Sequence, residues 1–287
     1  MSAYNEGRRM PDKIEVFGKG TKIQHGKLNN RVYLIKIQKE DYPEVLDFIS
    51  KIAEEHSYSK LFFKVPGWIV PALLKERFII EAQIPAFYNK KADVFFMSKF
   101  LTQERLLNKE DDMLISLSKQ LYEPDTSEME IEVPDEFNLV APDSKDAEKV
   151  ADLYKQVFDS YPFPIFDPKY IKHTMENDVK YFGIETGGKL VALSSCEIDR
   201  KGQNAEMTDF ATLPEFRGRK LSVLLLKQME KIMKEDGIST LYTIARLNSP
   251  AMNKTFIRLN YKYSGTLINN TNISGKIESM SVYYKHV

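Results

Sequence analysis

Residues 205–226 read AEMTDFATLPEFRGRKLSVLLL, and this stretch decides the fold. Residues 204–212 alternate in the manner of a strand, and Pro214 ends it. From Leu221 the apolar positions recur at Leu224, Leu225, Met229 and Ile232 with helical spacing. The turn between them, Arg217-Gly218-Arg219-Lys220, therefore opens a helix. The first N–H groups of a helix have no internal acceptor and carry the positive end of its dipole, so they favour an anion. Gly218 lets the backbone approach that anion closely. A bare Arg-Gly turn is more often an ordinary solvated loop, so its setting must carry the reading.

The chain has 287 residues, 43% apolar and 11% aromatic, which supplies core enough for two modest domains. Lysine plus arginine equal aspartate plus glutamate at 41 each, so no basic excess points to nucleic acid. No stretch approaches the roughly 20 apolar residues of a membrane helix, and the two arginines near the start precede no apolar run. These features point to a cytoplasmic protein that binds neither membrane nor nucleic acid. Cys196 is the only cysteine, so no internal disulfide forms. It sits in the apolar run VALSSCEI with no histidine nearby, as a small core residue rather than a nucleophile.

An acidic segment bounded by prolines, ending at Pro134, reads as a linker over residues 126–134 between a first domain, 1–125, and a second, 135–287. In the first, the pattern predicts strands at 31–37 and 60–66, a helix at 41–55, an amphipathic segment at 68–77, and a strand pair at 78–85 and 93–101. In the second it predicts a strand at 137–142, helices at 144–158 and 168–176, and two strands within 180–199. The elements of the opening stretch follow, then a strand at 239–245, a helix at 249–259 and a closing hairpin. The two tails run in parallel: KLFFKV, helix, Phe78, hairpin, FFMSKF against TLYTIA, helix, Tyr261, hairpin, SVYYKH. This reads as an internal duplication whose first copy has no Arg-Gly turn, and so does not bind the same ligand by the same means. The first copy is then expected to pack on the second and help shape its site.

PEFRGRKLS resembles the acetyl-CoA loop of the GNAT N-acetyltransferases, in which an Arg or Gln is followed by two residues, Gly, one residue, and Gly or Ala. Arg217 takes the first position, Lys220 stands where Gly is usual, and Ser222 where Gly or Ala is usual. That resemblance covers about residues 135–287. It implies an α/β fold of the GNAT type, with a mixed sheet and a degenerate GNAT-like first domain. It also implies acetyl-CoA held by Thr212, Arg217, Gly218, Arg219, Lys220, Leu221, Ser222 and Asn248, with no metal. KIQHGKLNNRVYLIKI and EAQIPAFYNKKADVFFMSKF in the first half, with VFDSYPFPIFDP and GTLINNTNISGKIESMSVYYK in the second, are similar to the β-lysine N-acetyltransferases over essentially the whole chain. This resemblance implies acetyl transfer to the terminal amine of β-lysine, giving a compatible solute.

The chemistry that such a transfer needs follows from the acceptor. A lysine-type amine has a pKa near 10.4, so reaching its neutral form at pH 7 costs roughly 4 to 5 kcal/mol, and the site must remove a proton. Glu206 is the candidate base, acting directly or through water, because the motif A-E-x-x-x-x-A matches the strand on which GNAT members carry a glutamate base. Without that match a strand glutamate is usually a solvated face. Alternation puts Glu206 and Thr208 on one face and Asp209 on the other, so Asp209 competes for the role only if the register is reversed.

The tyrosine acid of many GNAT enzymes corresponds here to Phe256. Tyr283 and Tyr284 are weak replacements, since paired aromatics in a last strand are more often core. The thiolate is a tolerable leaving group without an acid. The acceptor is expected between the YPFPIFDP loop and the last hairpin, near Tyr161, Phe163, Asp209, Asn269, Asn270 and Glu278. There aromatic rings wall its alkyl chain and carboxylates hold its spare ammonium. A non-catalytic acyl-CoA or amino-acid sensor is the alternative that the Lys220 and Phe256 departures would fit. The partner in either case is a small-molecule amine, and a homodimer is compatible with the sequence.

Overall fold

The computed structural model describes residues 11–107, 109–123 and 132–287. Residues 1–10 and most of the 126–134 linker lie outside the described residues. The first half opens with β1 (Lys13–Phe17), β2 (Thr21–Gly26) and β3 (Arg31–Lys36). Helix α1 (Glu44–Glu55) returns the chain to β4 (Lys60–Pro66), and α2 (Val70–Lys75) leads to the hairpin β5 (Ile79–Tyr88) and β6 (Ala92–Phe100). Two helices follow, α3 (Gln103–Leu106) and α4 (Asp111–Tyr122). The second half runs β7 (Asn138–Val140), α5 (Ala147–Val157), α6 (Pro168–Met175), β8 (Val179–Thr186), β9 (Lys189–Asp199) and β10 (Asn204–Thr212). It ends with α7 (Leu221–Glu235), β11 (Thr240–Arg246), α8 (Pro250–Arg258), β12 (Lys262–Ile273) and β13 (Lys276–His286).

Thirteen strands among the described residues form one mixed sheet in the order β1-β2-β3-β4-β6-β5-β12-β13-β11-β10-β9-β8-β7. The order repeats itself about its middle. In the first half β3 crosses through α1 to pair in parallel with β4, which then pairs antiparallel with β6 of a hairpin. In the second, β10 crosses through α7 to the parallel β11, which pairs with β13 of the final hairpin. The predicted elements fall within a few residues of these bounds. The sequence reading passed over β1, β2, α3 and α4. Leu117 of α4 packs in the core of the second half, although α4 precedes the linker.

The halves meet where β5 pairs with β12, opposite each other at Ala82 and Gly265. A Cβ on Gly265 would stand 2.1 Å from the Glu81 carbonyl oxygen, so only glycine permits this approach. A shared core covers one face of the seam, with Tyr33, Phe62 and Phe96 from the first half against Tyr242, Leu267 and Val282 from the second. Each such side chain contributes about 1.5 to 3 kcal/mol by leaving water. Buried polar bonds cross the seam as well: Lys60 Nζ donates to the Ile268 carbonyl at 2.7 Å and Gln24 Nε2 to the Pro162 carbonyl at 2.9 Å. No helix among the described residues is long and apolar enough to cross a membrane. Cys196 is fully buried, its Sγ 3.5 Å from Met207 Sδ, in keeping with a core residue.

Candidate active site

Strands β10 and β11 pair only at three positions, Asn204 with Thr240, Ala205 with Leu241 and Glu206 with Tyr242. Beyond Glu206 they part. Asp209 adopts a left-handed backbone, φ 56°, and the register with β9 shifts between Thr208 and Ala211. This is a bulge, which bends the strand and re-aims its side chains. The parted strands enclose a cleft of about 460 Å³. Thr212, Arg217, Gly218, Lys220, Leu221 and Ser222 form one side of it, and Ile244, Ser249, Met252 and Phe256 the other.

The turn at the head of α7 has the conformation that the sequence implied. Gly218 has φ 81° with open space about it, and Lys220, the N-cap of the helix, sits in the left-handed region at φ 60°. A lysine there carries the strain that glycine avoids, about 1 kcal/mol, which accounts for glycine being usual at that position. Among the described residues, the backbone N–H groups from Gly218 to Ser222 have no backbone acceptor. They face an open cleft at the positive end of a 15-residue helix, a cradle that fits a pyrophosphate. Arg217 keeps to the cleft, with Nε 3.4 Å from the Thr212 carbonyl. Arg219 turns away. Its guanidinium lies over the rings of Phe216 and Phe137, at 5.5 and 5.9 Å, and 3.8 Å from Glu136. Asn248 is exposed and does not line the cleft.

Behind the cleft lies a second cavity of about 510 Å³, which shares Tyr161, Thr208 and Asp209 with it. Three carboxylates line it. Glu206 stands directly opposite Glu197 across the β10–β9 ladder, and Asp209 lies beside them. The bulge corrects the alternation read from sequence: Glu206 and Asp209 serve one cavity without any reversal of register. Asp209 is held by Tyr161 Oη at 2.5 Å, Ser195 Oγ at 2.6 Å and Thr208 Oγ1 at 3.3 Å, all donating to its carboxylate.

Burial raises the affinity of all three carboxylates for a proton. Glu197 is pushed up to about 8, first by loss of hydration and then by repulsion from Glu206 and Asp209. Its side chain still touches the water of the cavity, which moderates the shift without reversing it. Glu206 is raised by burial against the opposing pull of the Lys64 ammonium and a hydrogen bond from Tyr242. Lys64 Nζ in turn donates to Tyr242 Oη at 3.0 Å. Asp209 is raised by burial and held down by its hydroxyl donors, Ser195 first.

Of the expected acceptor residues, Tyr161, Phe163, Asp209 and Asn270 line this cavity. Glu278 and Asn269 do not. Glu278 is taken by a two-pronged pair with Arg246, at 2.8 and 2.7 Å, so it is already neutralised. Asn269 is tied by Nδ2 to the carbonyls of Arg105 and Leu107, at 2.9 and 2.8 Å. Phe256 is buried in the cleft wall, stacked at 5.8 Å on Tyr283. Tyr283 is fully buried with its hydroxyl donating to Asn253 Oδ1 at 2.8 Å, and neither it nor Tyr284 lines the cleft. Glu197, Lys64, Arg31 and Tyr242 are cavity or carboxylate neighbours that sequence reasoning missed. Strand alternation carried a signal for Glu197, the single charge in VALSSCEI, but nothing local says which element it faces.

The Acetyltransferase (GNAT) family profile matches residues 148–259. The β-lysine N(6)-acetyltransferase of Methanococcus maripaludis is 42% identical over 267 residues, which is 92% of this chain and 95% of that one. The N-acetyltransferase YodP of Bacillus subtilis is 27% identical over 97% of this chain and 100% of its own length. The β-lysine N(6)-acetyltransferase of Methanosarcina mazei is 37% identical over 53% of this chain and 56% of its own. With the parted strands, the anion cradle and the carboxylate cavity in one molecule, and that identity over nearly its full length, the chain belongs to the β-lysine N(6)-acetyltransferase family within the GNAT acetyltransferases.

Proposed function

We propose that this protein transfers an acetyl group from acetyl-CoA to the terminal amine of β-lysine, with Glu206 as the general base. The observation that carries the reading is the junction of the two cavities. The anion cradle opens one, the carboxylate cluster lines the other, and they meet at Thr208, Asp209 and Tyr161. Acetyl-CoA supplies an activated acetyl thioester. Backbone N–H groups from Gly218 to Ser222, with the Arg217 side chain, would hold its pyrophosphate, and Thr212 and Ser249 lie along the same cleft.

The chain's own tasks are to seat a cationic amine and take its proton. Three carboxylates with raised proton affinity cannot all be charged in an empty site, so an arriving ammonium supplies the missing positive charge. Glu206 then accepts the proton, its affinity lifted towards the range where a base works near neutral pH. Asp209, whose carboxylate accepts from the hydroxyls of Ser195, Tyr161 and Thr208, orients the amine beside the neck. Tyr161 lines both cavities and holds its proton firmly, because burial and the adjacent Asp209 oppose ionisation. Its single hydroxyl proton is committed to Asp209, so the thiolate, a tolerable leaving group, departs without an acid in the place of Phe256. The amine reading is preferred to a sensor because a mere acyl-CoA binder has no use for an acidic cavity, lined by Glu206, Glu197 and Asp209, that opens onto the cofactor cleft. Free CoA released above background when acetyl-CoA meets a panel of diamino acids supports this function, and silence with every amine would favour the sensor.

A further inference from the structure

The acceptor cavity has a second charged end, and the first half builds it. Arg31 of β3 is 3% exposed and lines the cavity that holds Glu206, Glu197 and Asp209. Its Nη1 donates to the Asn270 carbonyl at 2.5 Å and to Thr271 Oγ1 at 3.2 Å, while its Nε is buried with no hydrogen-bond partner. The carboxylates near it are spent elsewhere. Glu81 accepts from Lys60 Nζ at 3.0 Å, from the Ile268 N–H at 2.7 Å and from Ser98 Oγ. Asp12 accepts from the N–H groups of Leu28 and Asn29, at 3.0 and 3.2 Å, and from Asn29 Nδ2 at 2.7 Å. Arg105 adds a further buried cation, and its donors go to the carbonyls of Asn29, Asn269 and Asn270 and to Ser59 Oγ.

The guanidinium lies over the rings of Tyr33 and Phe62, at 5.2 and 5.3 Å, yet no carboxylate is bonded to it and its buried Nε–H has no acceptor, a lack that an anion would relieve. Beside it the Asn270 side-chain oxygen is also buried and without a partner, in a residue 1% exposed that lines the same cavity. A free donor on a cation and a free acceptor next to it match a carboxylate with an ammonium close by. Tyr33 follows Arg31 on the same face of β3, about 6.6 Å along the strand. It lines the same cavity and lies within the field of both Arg31 and Glu206.

We propose that Arg31, with Asn270 beside it, holds the carboxylate end of the acceptor, so that this site selects a diamino acid over a plain diamine. The proposal rests on the transferase reading above for the identity of the acceptor. Arg31 Nε donates to the substrate carboxylate, Asn270 Oδ1 accepts from the ammonium on the β-carbon, and the far amine extends past Tyr33 to Glu206 and Asp209. Arg31 of the first half, with Asn270 of the second, thereby reads one end of the molecule, while Glu206 and Asp209 of the second half act on the other.

The test compares β-lysine with 1,4-diaminopentane, which is the same molecule without its carboxylate, in the intact protein. The wild type should favour β-lysine in kcat/KM on the order of 10- to 100-fold, the worth of a hydrogen bond to a charged group. Arg31→Met should abolish that preference by lowering the rate with β-lysine alone, and Arg31→Lys should keep part of it. The ratio of two substrates within one preparation does not depend on how much protein is folded, which matters because Arg31 also bridges the halves. Equal use of both amines by the wild type overturns the proposal. So does an equal loss on both in the Arg31 variants, which would make Arg31 purely structural. Calorimetry with the same two compounds separates the two readings. Arg31-dependent binding of β-lysine with no CoA release keeps the subsite and sinks the transferase, while CoA release with no preference does the opposite.

Discussion

Glu206 and Glu197 face each other as direct cross-strand partners on β10 and β9, and both line the acceptor cavity. Like charges directly opposite in a sheet destabilise it, so such a pair persists in a fold when the site uses it. Burial raises the proton affinity of both, and with Asp209 they give the cavity an acidic end that suits a cationic amine about to lose a proton.

Glu206→Gln should fold as the wild type does and lose most turnover at pH 7, on the order of 100-fold or more. Its rate should climb as pH rises towards the amine's own pKa near 10.4, since the acceptor then deprotonates without help. A steady-state pH profile checks this, and full activity at pH 7 would move the role to Asp209 or to water.

Glu197→Gln should leave the acid limb of kcat/KM close to its wild-type position, because a carboxyl pushed up to about 8 already holds its proton there and repels nothing. Stability gives a second reading. The folded pKa of about 8 lies above the ordinary 4.5, so the unfolded chain releases this proton first and wild-type stability falls as pH rises from 4.5 to 8. Urea melts at pH 5 and pH 8 should show Glu197→Gln gaining about 1 kcal/mol at the higher pH only, a modest value because water reaches the side chain.

Gly218→Val places a branched residue at φ 81°, which costs about 1 to 2 kcal/mol and displaces the N–H groups of the cradle. The KM for acetyl-CoA should rise at least about tenfold while the KM for the amine stays near its wild-type value. Lys220→Gly, at a left-handed N-cap, should leave both constants and the melting temperature close to normal. Insensitivity of the acetyl-CoA constant to Gly218→Val would place the cofactor elsewhere.

A fragment of residues 132–287 should be poorly soluble or bind the amine weakly. It uncovers Tyr242, Leu267 and Val282 at the seam and removes Arg31 and Lys64 from the cavity. Any acetyl-CoA binding that survives should be near normal, because every residue named for the cradle belongs to the second half. Analytical ultracentrifugation and acetylation assays of the fragment decide the matter: a soluble monomer as active as the whole chain would make the first half an independent appendage.

What was legible in the sequence was local. The strand, turn and helix of residues 204–235 announced themselves through alternation, a proline stop and helical spacing, and the duplicated tails were visible as repeated apolar runs. The bulge at Asp209 was not, because left-handed backbone in mid-strand has no sequence signature for aspartate, and so its facing was misread. Glu278 looked like an ammonium holder until the fold brought Arg246 to it from the neighbouring strand. Arg219 looked like a phosphate ligand until Phe137, on a distant part of the chain, came within reach of its guanidinium. Lys64 and Arg31 enter the site only through long-range packing of the first half on the second, which no local pattern encodes, while Glu197 enters through its hairpin partner Glu206.

The central claim is acetyl transfer to one particular amine, and the most direct test is the structure of the product. Incubation with acetyl-CoA and β-lysine, followed by NMR of the purified product, should show the acetyl group on the terminal nitrogen alone, with one CoA released per molecule formed. No product above background, or acetylation at the amine nearer the carboxylate, would contradict the account.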